Sequence, residues 1–491
     1  MLINTAMFLP ELFLGVFSLG LLFLGLYRPG IRGKEETSLQ LALPKGASYG
    51  VLILLLVLLG FLWFAHIFQG ISFSGFLISD KMSILSKAFI CLIGLSWIGF
   101  DNRIIESTLE RDGIKQFEYP VLCLVSIIGS FLMVSAHHLL AIYFGIALQT
   151  IPLYVLISLK KGGGLSKESA LKYFLLGSLS SLFLLYGIAL VYGFVGSGDF
   201  REISTSLEWL TENSLGYSWL QAGFLFIVIG LLFKLGLASL NPWGPDISQG
   251  VSNAQMPFLL LIPKISGAIL LVRLLFGAFH GLHFLWKPLL LSVALISLVM
   301  GSVGAFSQTN IRRFFSYMGL FHMGFFLLGL SSKEFNGAYA GLLYLFIFSG
   351  TTLGFLFFWT TLSTNDRNLD KIPQVKGLLK KQPVVAGILC LLLLSLAGLP
   401  PFAGFWTTLY LMSTVISGGS FIIGISLASA LISAIGYLKI IKVICFEEGH
   451  EEIHSTFSWT SGWILLIPFV ILFFTAQDFF LEIIREALSS L

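Results

Sequence analysis

The sequence predicts an all-α polytopic membrane protein of about 14 transmembrane helices, with two inverted five-helix repeats and breaks in helices seven and twelve. Three observations carry that prediction. The 491 residues have a mean hydropathy of +0.92 and are 56% hydrophobic but only 11% charged, whereas a soluble chain carries about 25% charged residues. No aqueous fold of this length hides so much apolar surface, so lipid must solvate most of the chain. The apolar segments recur at lengths near the roughly 20 residues that a bilayer-crossing helix needs. Two of them are interrupted by proline and glycine, five segments apart.

The segments lie near 7–27, 48–69, 82–100, 118–135, 138–159, 169–195, 219–240, 254–278, 286–307, 314–331, 338–361, 384–416, 420–444 and 461–481. Connections are short, the longest near 28–47, 101–117, 196–218 and 362–381, which leaves no room for a separate soluble domain. The alternation of a β-barrel strand is absent, and helices are the other structure that satisfies backbone polar groups in lipid. The net charge of +4 is too small over this length to suggest nucleic acid. Cys91, Cys123, Cys390 and Cys445 are scattered, with no CxxC pair and no histidine at metal spacing, so they read as small apolar residues. The apolar N-terminus contains Glu11 and runs longer than the apolar stretch of a signal peptide, so no cleavable signal is expected.

Orientation follows from lysine and arginine near span ends. Odd-numbered connections hold about 19 of them, against about five or six in the even connections and at the two ends. Arg28, Arg32, Lys34 and Lys45 follow span one, Lys160, Lys161 and Lys167 follow span five, and Arg312 and Arg313 follow span nine. Lys371, Lys376, Lys380 and Lys381 lie between spans eleven and twelve. Odd connections are therefore expected on the cytoplasmic or matrix side, with both termini opposite.

In chain order, span one opens on Pro10-Glu11, where a carboxylate suits either a helix start or a functional site. His137 and His138 occupy a very short connection and read as interfacial. Glu168 and Lys172 open span six at i,i+4 spacing, which fits a helix-stabilising pair as well as a site. Span seven carries Lys234 and then meets Asn241-Pro242-Trp243-Gly244-Pro245; the expected break lies about two turns after the lysine. Span eight carries Pro263-Lys264 among apolar neighbours, with Arg273 near its end positioned to snorkel. His322 in span ten reads as a buried histidine or a proton relay. Span twelve is interrupted by Gly398-Leu399-Pro400-Pro401, and Lys439 and Lys442 approach the end of span thirteen.

A charged side chain at mid-bilayer costs about 2.5–3.5 kcal/mol on insertion scales, so an intramembrane lysine is a functional candidate by default. Buried amines can exchange a proton near neutral pH. Lys234 and Lys264, with hydroxyls or water between them, suit proton transfer; donation to carbonyls at a helix break is the structural alternative. Units of five spans, four to eight and nine to thirteen, put both breaks in the fourth helix of each. Because five is odd, the second unit is inverted. The expected organisation is residues 1–117 for helices one to three, 118–278 and 286–445 for the repeats, and 446–491 for the last helix.

The stretches LLFKLGLASLNPWGPDISQG and IPKIS resemble the antiporter-like subunits of respiratory NADH–quinone oxidoreductase, complex I. ESALKYFLLGSLSSLFLLYGIALVYG, SQTNIRRFFSYMGLFHMG and LAGLPPFAGFWTTLYL match family segments in the same order. Lysine after Pro263 is similar to the N-type branch, chain 2. The resemblance implies 14 helices, a central polar axis, and proton relay through Lys234 of broken helix seven and Lys264 of helix eight, driven by quinone reduction elsewhere. It also implies a glutamate in helix five and a lysine after the break in helix twelve, where this chain has Ala147 and Thr408. Asn241 and Gln249 stand where the family has histidine and glutamate around its Trp-x-Pro-Asp motif.

The expected function is therefore a membrane-arm subunit contributing one proton path. An assembly scaffold that kept the fold, and a subunit of a cation/proton antiporter, are the alternatives. No nucleotide loop, haem ligand pair or iron–sulfur spacing occurs in the sequence, so no cofactor is expected on this chain. By the resemblance, NADH, FMN, iron–sulfur clusters and ubiquinone bind partner subunits of the membrane-embedded complex. The 47 phenylalanines and the altered charges suggest the mitochondrial inner membrane, with both termini in the intermembrane space, ahead of a bacterial plasma membrane.

Overall fold

The computed structural model describes residues 8–26, 54–60, 62, 70–98, 118–160, 164–209, 215–237, 243–253, 255–332, 335–364, 367–416, 419–449, 454–455, 486 and 488. Among them, eight helices are long and apolar enough to cross a bilayer, and Pro10–Phe23, Glu118–Val134 and Pro383–Leu396 are shorter apolar helices. Most of span two, and all of span fourteen, lie outside the described residues.

In chain order the helices are α1 (Leu9–Leu26), α2 (Lys81–Ile98), α3 (Glu118–Val134), α4 (Leu139–Ser158), α5 (Gly164–Val195), α6 (Phe200–Trp209), α7 (Leu215–Lys234), α8 (Gly244–Gly250) and α9 (Met256–Arg273). They continue with α10 (His283–Phe306), α11 (Ile311–Leu330), α12 (Phe335–Thr360), α13 (Leu378–Lys381), α14 (Pro383–Leu396), α15 (Ala403–Val415) and α16 (Ser420–Phe446). Two compact units result. Described residues up to Gly230 join Ile262–Ala278 in the first, and Leu231–Leu261 join those from Phe279 to the described C-terminal positions in the second.

In the first unit α3 and α4 form a tight hairpin. A Cβ at Gly129 would collide with the Gln149 backbone nitrogen, so only glycine allows this approach. The His138 ring caps α4 by accepting from the Leu140 N–H at 3.1 Å. Small residues also let α5 and α7 cross, with Gly187 against the Gly223 carbonyl. Strands β1 (Gly70–Ser72) and β2 (Leu77–Ser79) pair antiparallel with Gly70 opposite Ser79, and Leu77 bridges to Ala136. Neither this hairpin nor the amphipathic α6 is foreseen from hydropathy, which registers only the apolar spans.

One backbone exchange occurs in both units. In the first, Leu139 N–H donates to the Gly198 carbonyl at 2.9 Å and Phe200 N–H to that of His137 at 3.1 Å. In the second, Ile311 donates to Asp370 at 3.0 Å and Ile372 to Thr309 at 2.8 Å. Every position shifts alike (139 to 311, 198 to 370, 200 to 372, 137 to 309). The glycine contact follows the same shift, with Gly301 against Phe321 where the first unit has Gly129 against Gln149. The contacts between connections also sort by parity. Within the first unit, connections two, four and six meet, as Leu77 reaches Ala136 and His138 reaches Asp199. Within the second, connections seven, nine, eleven and thirteen meet through Arg312 on Asp370 and Val251, and Lys376 on Glu447.

The break in span seven comes earlier than expected, while that in span twelve falls at the expected Gly398-Leu399-Pro400-Pro401. Helix α7 stops at Lys234, not beyond it: Gly236 is left-handed (φ 71°), its N–H donates to the Phe233 carbonyl at 3.0 Å, and Leu237 donates to Leu232 at 3.3 Å. Helix α14 ends in the same way, with Gly398 (φ 68°) on Ser395 and Leu399 on Leu394. This is a Schellman end, in which a glycine at positive φ turns the chain and satisfies the last carbonyls. Glycine rather than proline therefore ends both helices. Pro245 lies in the first turn of α8 and starts a helix, where its missing N–H is no loss. Pro242 lies outside the described residues. Pro400 and Pro401 follow the end of α14 and precede α15, joined by a cis peptide bond.

Within the second unit α11 and most of α12 are the enclosed helices, 89% buried over their apolar windows against 28% for α16. A polar group on α11 is thus held away from lipid.

Candidate functional site

Lys234 is the last residue of α7, and its Nζ is buried with no hydrogen-bond partner among the described residues. Two physical terms contend over its charge. Hydrocarbon opposes a cation, while the negative end of the helix dipole favours one by about 0.3–1 kcal/mol at exposed sites and up to about 2 when partly buried.

Lys264 lies in the first unit, on α9, directly after Pro263, which is inside the helix and removes one of its donors. Two residues further on, Ser266 belongs to a buried polar ladder. Gln149 Nε2 donates to Ser130 Oγ and to Ser266 Oγ, both at 2.7 Å, and these hydroxyls donate to the Ser126 and Ile262 carbonyls at 2.9 Å. Gln149 Oε1 is buried without a partner. Gln149 is two residues after Ala147, where the resemblance implies a glutamate, so a neutral amide and hydroxyls occupy this region. The sequence reading passed over Gln149; a single amide in a mostly apolar helix was the available signal.

His322 is enclosed on α11. Its Nδ1 meets Tyr344 Oη at 2.6 Å and its Nε2 meets Tyr437 Oη at 2.9 Å, with Phe348 stacked on the ring at 3.9 Å between centroids. Both tyrosines were missed, although a tyrosine hydroxyl inside an apolar span needs a partner. A cavity of about 20 Å³ adjoins the imidazole, lined by Tyr344, Thr351, Ser395, Thr407 and Thr408 as well. Thr408, at the position of the expected lysine, donates to the Gly404 carbonyl at 2.7 Å.

The remaining candidates divide. Glu11 is buried and contacts Lys87 Nζ at 2.6 Å, with side chains 1% and 5% exposed; Lys87, in the middle of α2, was not singled out from the sequence. Glu168 and Lys172 pair at 2.6 Å but are 55% and 40% exposed. They form an i,i+4 pair on the exposed face of α5, a helix only 33% buried over its apolar window. Arg312 pairs with Asp370 at 2.6 Å, and Arg313 with Asp246 and Gln249 at 3.1 Å, so both tie connections together. Arg273 does not snorkel. Its guanidinium is buried against Asp80 at 2.8 Å.

At that same end of the first unit, burial pushes the Asp80 carboxyl up, but the Arg273 charge and hydrogen bonds from Arg273 and Ser83 outweigh it and hold it below its ordinary range. His137 faces Asp199 at 3.7 Å. Burial holds its pKa below the ordinary 6.5, with Arg273 and Arg201 acting in the same direction against the pull of Asp199 and Asp80. The contact is therefore not an ion pair at neutral pH. Linkage then fixes a sign. The unfolded chain takes up the His137 proton below 6.5 while the fold still resists it, so stability drops as pH falls from 6.5 to the depressed value. His137→Gln should shrink the loss of thermal midpoint between about pH 7.5 and about pH 5.5. An unaltered pH dependence, measured by thermal unfolding, would show that His137 takes no part in it.

The comparisons with known proteins agree on one family. The family model described as NADH:quinone oxidoreductase/Mrp antiporter, TM, matches residues 136–435. The NADH-quinone oxidoreductase subunit N of Pelagibacter ubique is 33% identical over 488 residues, covering 98% of this chain and 99% of the relative. A chain of respiratory complex I from Thermus thermophilus superposes with a TM-score of 0.75 at 25% identity, over 94% of this chain and 96% of that one. A chain of the Mrp complex from Dietzia sp. reaches a TM-score of 0.81 at 17% identity, covering 100% and 97%, and so shares the fold. The N subunits of Pelagibacter ubique and Parvibaculum lavamentivorans, among the relatives, are bacterial, which makes the mitochondrial location suggested by composition doubtful.

Proposed function

The chain belongs to the NADH:quinone oxidoreductase/Mrp antiporter family of membrane proteins, with N subunits as its relatives, and on that premise we propose that it carries a proton path in the membrane arm of a respiratory NADH:quinone oxidoreductase. The observation that carries the proposal is the Lys234 amine, buried without a hydrogen-bond partner among the described residues at the open end of a broken helix. Hydrocarbon does not hold such a group for packing, since a leucine would fill the volume without the insertion cost. Lys264, beside a helix proline, and the enclosed His322 supply further groups that can hold a proton.

The architecture we propose is 14 helices, with helices one to three preceding two five-helix repeats at 118–278 and 286–445 and one helix after them. The backbone exchange recurring at a constant shift, and the two like helix ends, support the repeat. Its inversion follows from the odd number of spans per unit. The positive connections face the side from which protons are drawn, and both termini face the other. NADH, flavin, iron–sulfur clusters and quinone belong to partner subunits, and this chain acts through their energy. The membrane is a respiratory one; the bacterial relatives favour a plasma membrane over the mitochondrial inner membrane.

Lys234→Met tests the reading in the assembled complex. Protons moved per NADH oxidised should fall by the share of this subunit, with NADH oxidation in uncoupled membranes retained. An unchanged ratio would instead favour the scaffold reading, which Ala147 and Thr408 support by removing one carboxylate and one amine.

A further inference from the structure

The second unit lacks the lysine that the resemblance implies after its helix break, yet polar groups converge where Thr408 replaces it. The cavity there, of about 20 Å³, is large enough for one water molecule, which needs about 10–15 Å³ and two to four polar partners. Ser395 lines it, and its Oγ is buried with no hydrogen-bond partner among the described residues. The threonine hydroxyls around it donate into their own helices: Thr351 to Ile347 at 2.9 Å, Thr407 to Ala403 at 3.0 Å and Thr408 to Gly404 at 2.7 Å. Each keeps lone pairs to accept from a guest, while Ser395 keeps a proton to donate. Among the described residues no lysine, arginine or carboxylate lines the cavity, so an ion there would be uncompensated and a neutral guest is favoured.

We propose that this cavity binds a single water, and that the water, Tyr344, His322 and Tyr437 form a charge-free proton relay in place of the missing lysine. The proposal rests on the proton-path reading above. Its basis is the two-sided contact on the imidazole. A neutral imidazole has one N–H and one acceptor nitrogen, and a tyrosine sits on each. In one arrangement Tyr344 Oη donates to Nδ1 while Nε2–H donates to Tyr437 Oη.

The transfer balances link by link. The cavity water, having received a proton, gives one to Tyr344 Oη; that hydroxyl gives its own to Nδ1. Nε2–H passes to Tyr437 Oη, whose proton leaves to a water beyond. Each group gives one proton and takes one, and the whole chain ends with its hydrogen bonds reversed. Before the next transfer the hydroxyls turn back and the imidazole tautomer resets. No fixed charge is needed at Thr408, because the proton itself is the only charge and it passes through without residing.

The test uses the assembled complex and reads protons moved per NADH. Tyr437→Phe keeps the edge-on ring contact with Phe314 at 5.4 Å and removes only the hydroxyl; Ser395→Ala removes the water's donor. Both should lower the ratio to the level of Lys234→Met, the ratio being taken at whatever rate of NADH oxidation each variant retains. If Lys234→Met lowers the ratio and neither of the others does, the relay is wrong and the proton-path reading stands. If none of the three lowers it, both fall. Should a variant not assemble, a high-resolution map of the wild-type complex decides: an ordered water within hydrogen-bond distance of Ser395 Oγ is expected, and a dry cavity overturns the relay.

Discussion

Arg273→Met should destabilise the first unit by about 3–5 kcal/mol, because it strands a carboxylate in a place water does not reach. The Arg273 and Asp80 side chains are 3% and 7% exposed and meet at 2.8 Å. Asp80 would keep the Ser83 N–H, at 2.8 Å, but lose the charge that outweighs its burial. The pair ties the connection before α2 to the end of α9, 193 residues apart in sequence. Removing both charges together, by Arg273→Met with Asp80→Asn, should recover most of the loss, since a neutral pair has little desolvation to offset. The acid limb follows from the lowered Asp80 pKa. Its stabilisation is complete above 3.8, the unfolded value, and disappears as pH falls through the folded one. Thermal midpoint and yield of the assembled complex measure the effect at neutral pH. Equal midpoints for wild type and the single variant would mean that the pair is hydrated in the assembly.

Arg273 also shows where sequence reading stops. Its place near a span end predicts snorkelling, and nothing local to it announces a partner in a hairpin connection far upstream. Burial of an arginine is a tertiary fact, decided by which connections meet. Spans five, nine and thirteen were legible, because lipid imposes one length and one composition on every helix that crosses it. Helices α4, α10 and α16 begin and end within three residues of the apolar segments. The break in span seven was misplaced because proline is the louder signal. A glycine among leucines, as in Leu235-Gly236-Leu237, reveals its positive φ only once the chain is folded. His322 was visible as an ionisable group in an apolar span, but Tyr344 and Tyr437 are counted with the hydrophobic residues of the composition. Only the spatial contact turns their hydroxyls into partners of the imidazole. Gln149 escaped for a related reason: the expected carboxylate position is two residues earlier, and its ladder needs serines from two other helices.

Lys87→Met should cost about 3–5 kcal/mol on its own and close to nothing when combined with Glu11→Gln. The contact of 2.6 Å joins α1 to α2 with both side chains enclosed, and the amine also lies 5.9 Å from the Phe131 ring centre. Methionine replaces the lysine stem but leaves the Glu11 carboxylate without a cation, and Glu11 Oε2 already has no hydrogen-bond partner among the described residues. The double variant decides what the pair is for. A neutral amide and a thioether can pack together but cannot hold and release a proton. A structural tie between the N-terminal helices therefore predicts a double variant that assembles normally and moves as many protons per NADH as the wild type. A lowered ratio in a fully assembled double variant would make Glu11 a proton carrier and extend the path into α1. The first outcome is expected, because the charges already face each other at contact distance, whereas Lys234 and His322 lie beside a helix end and a water-sized cavity, where a proton has somewhere to go.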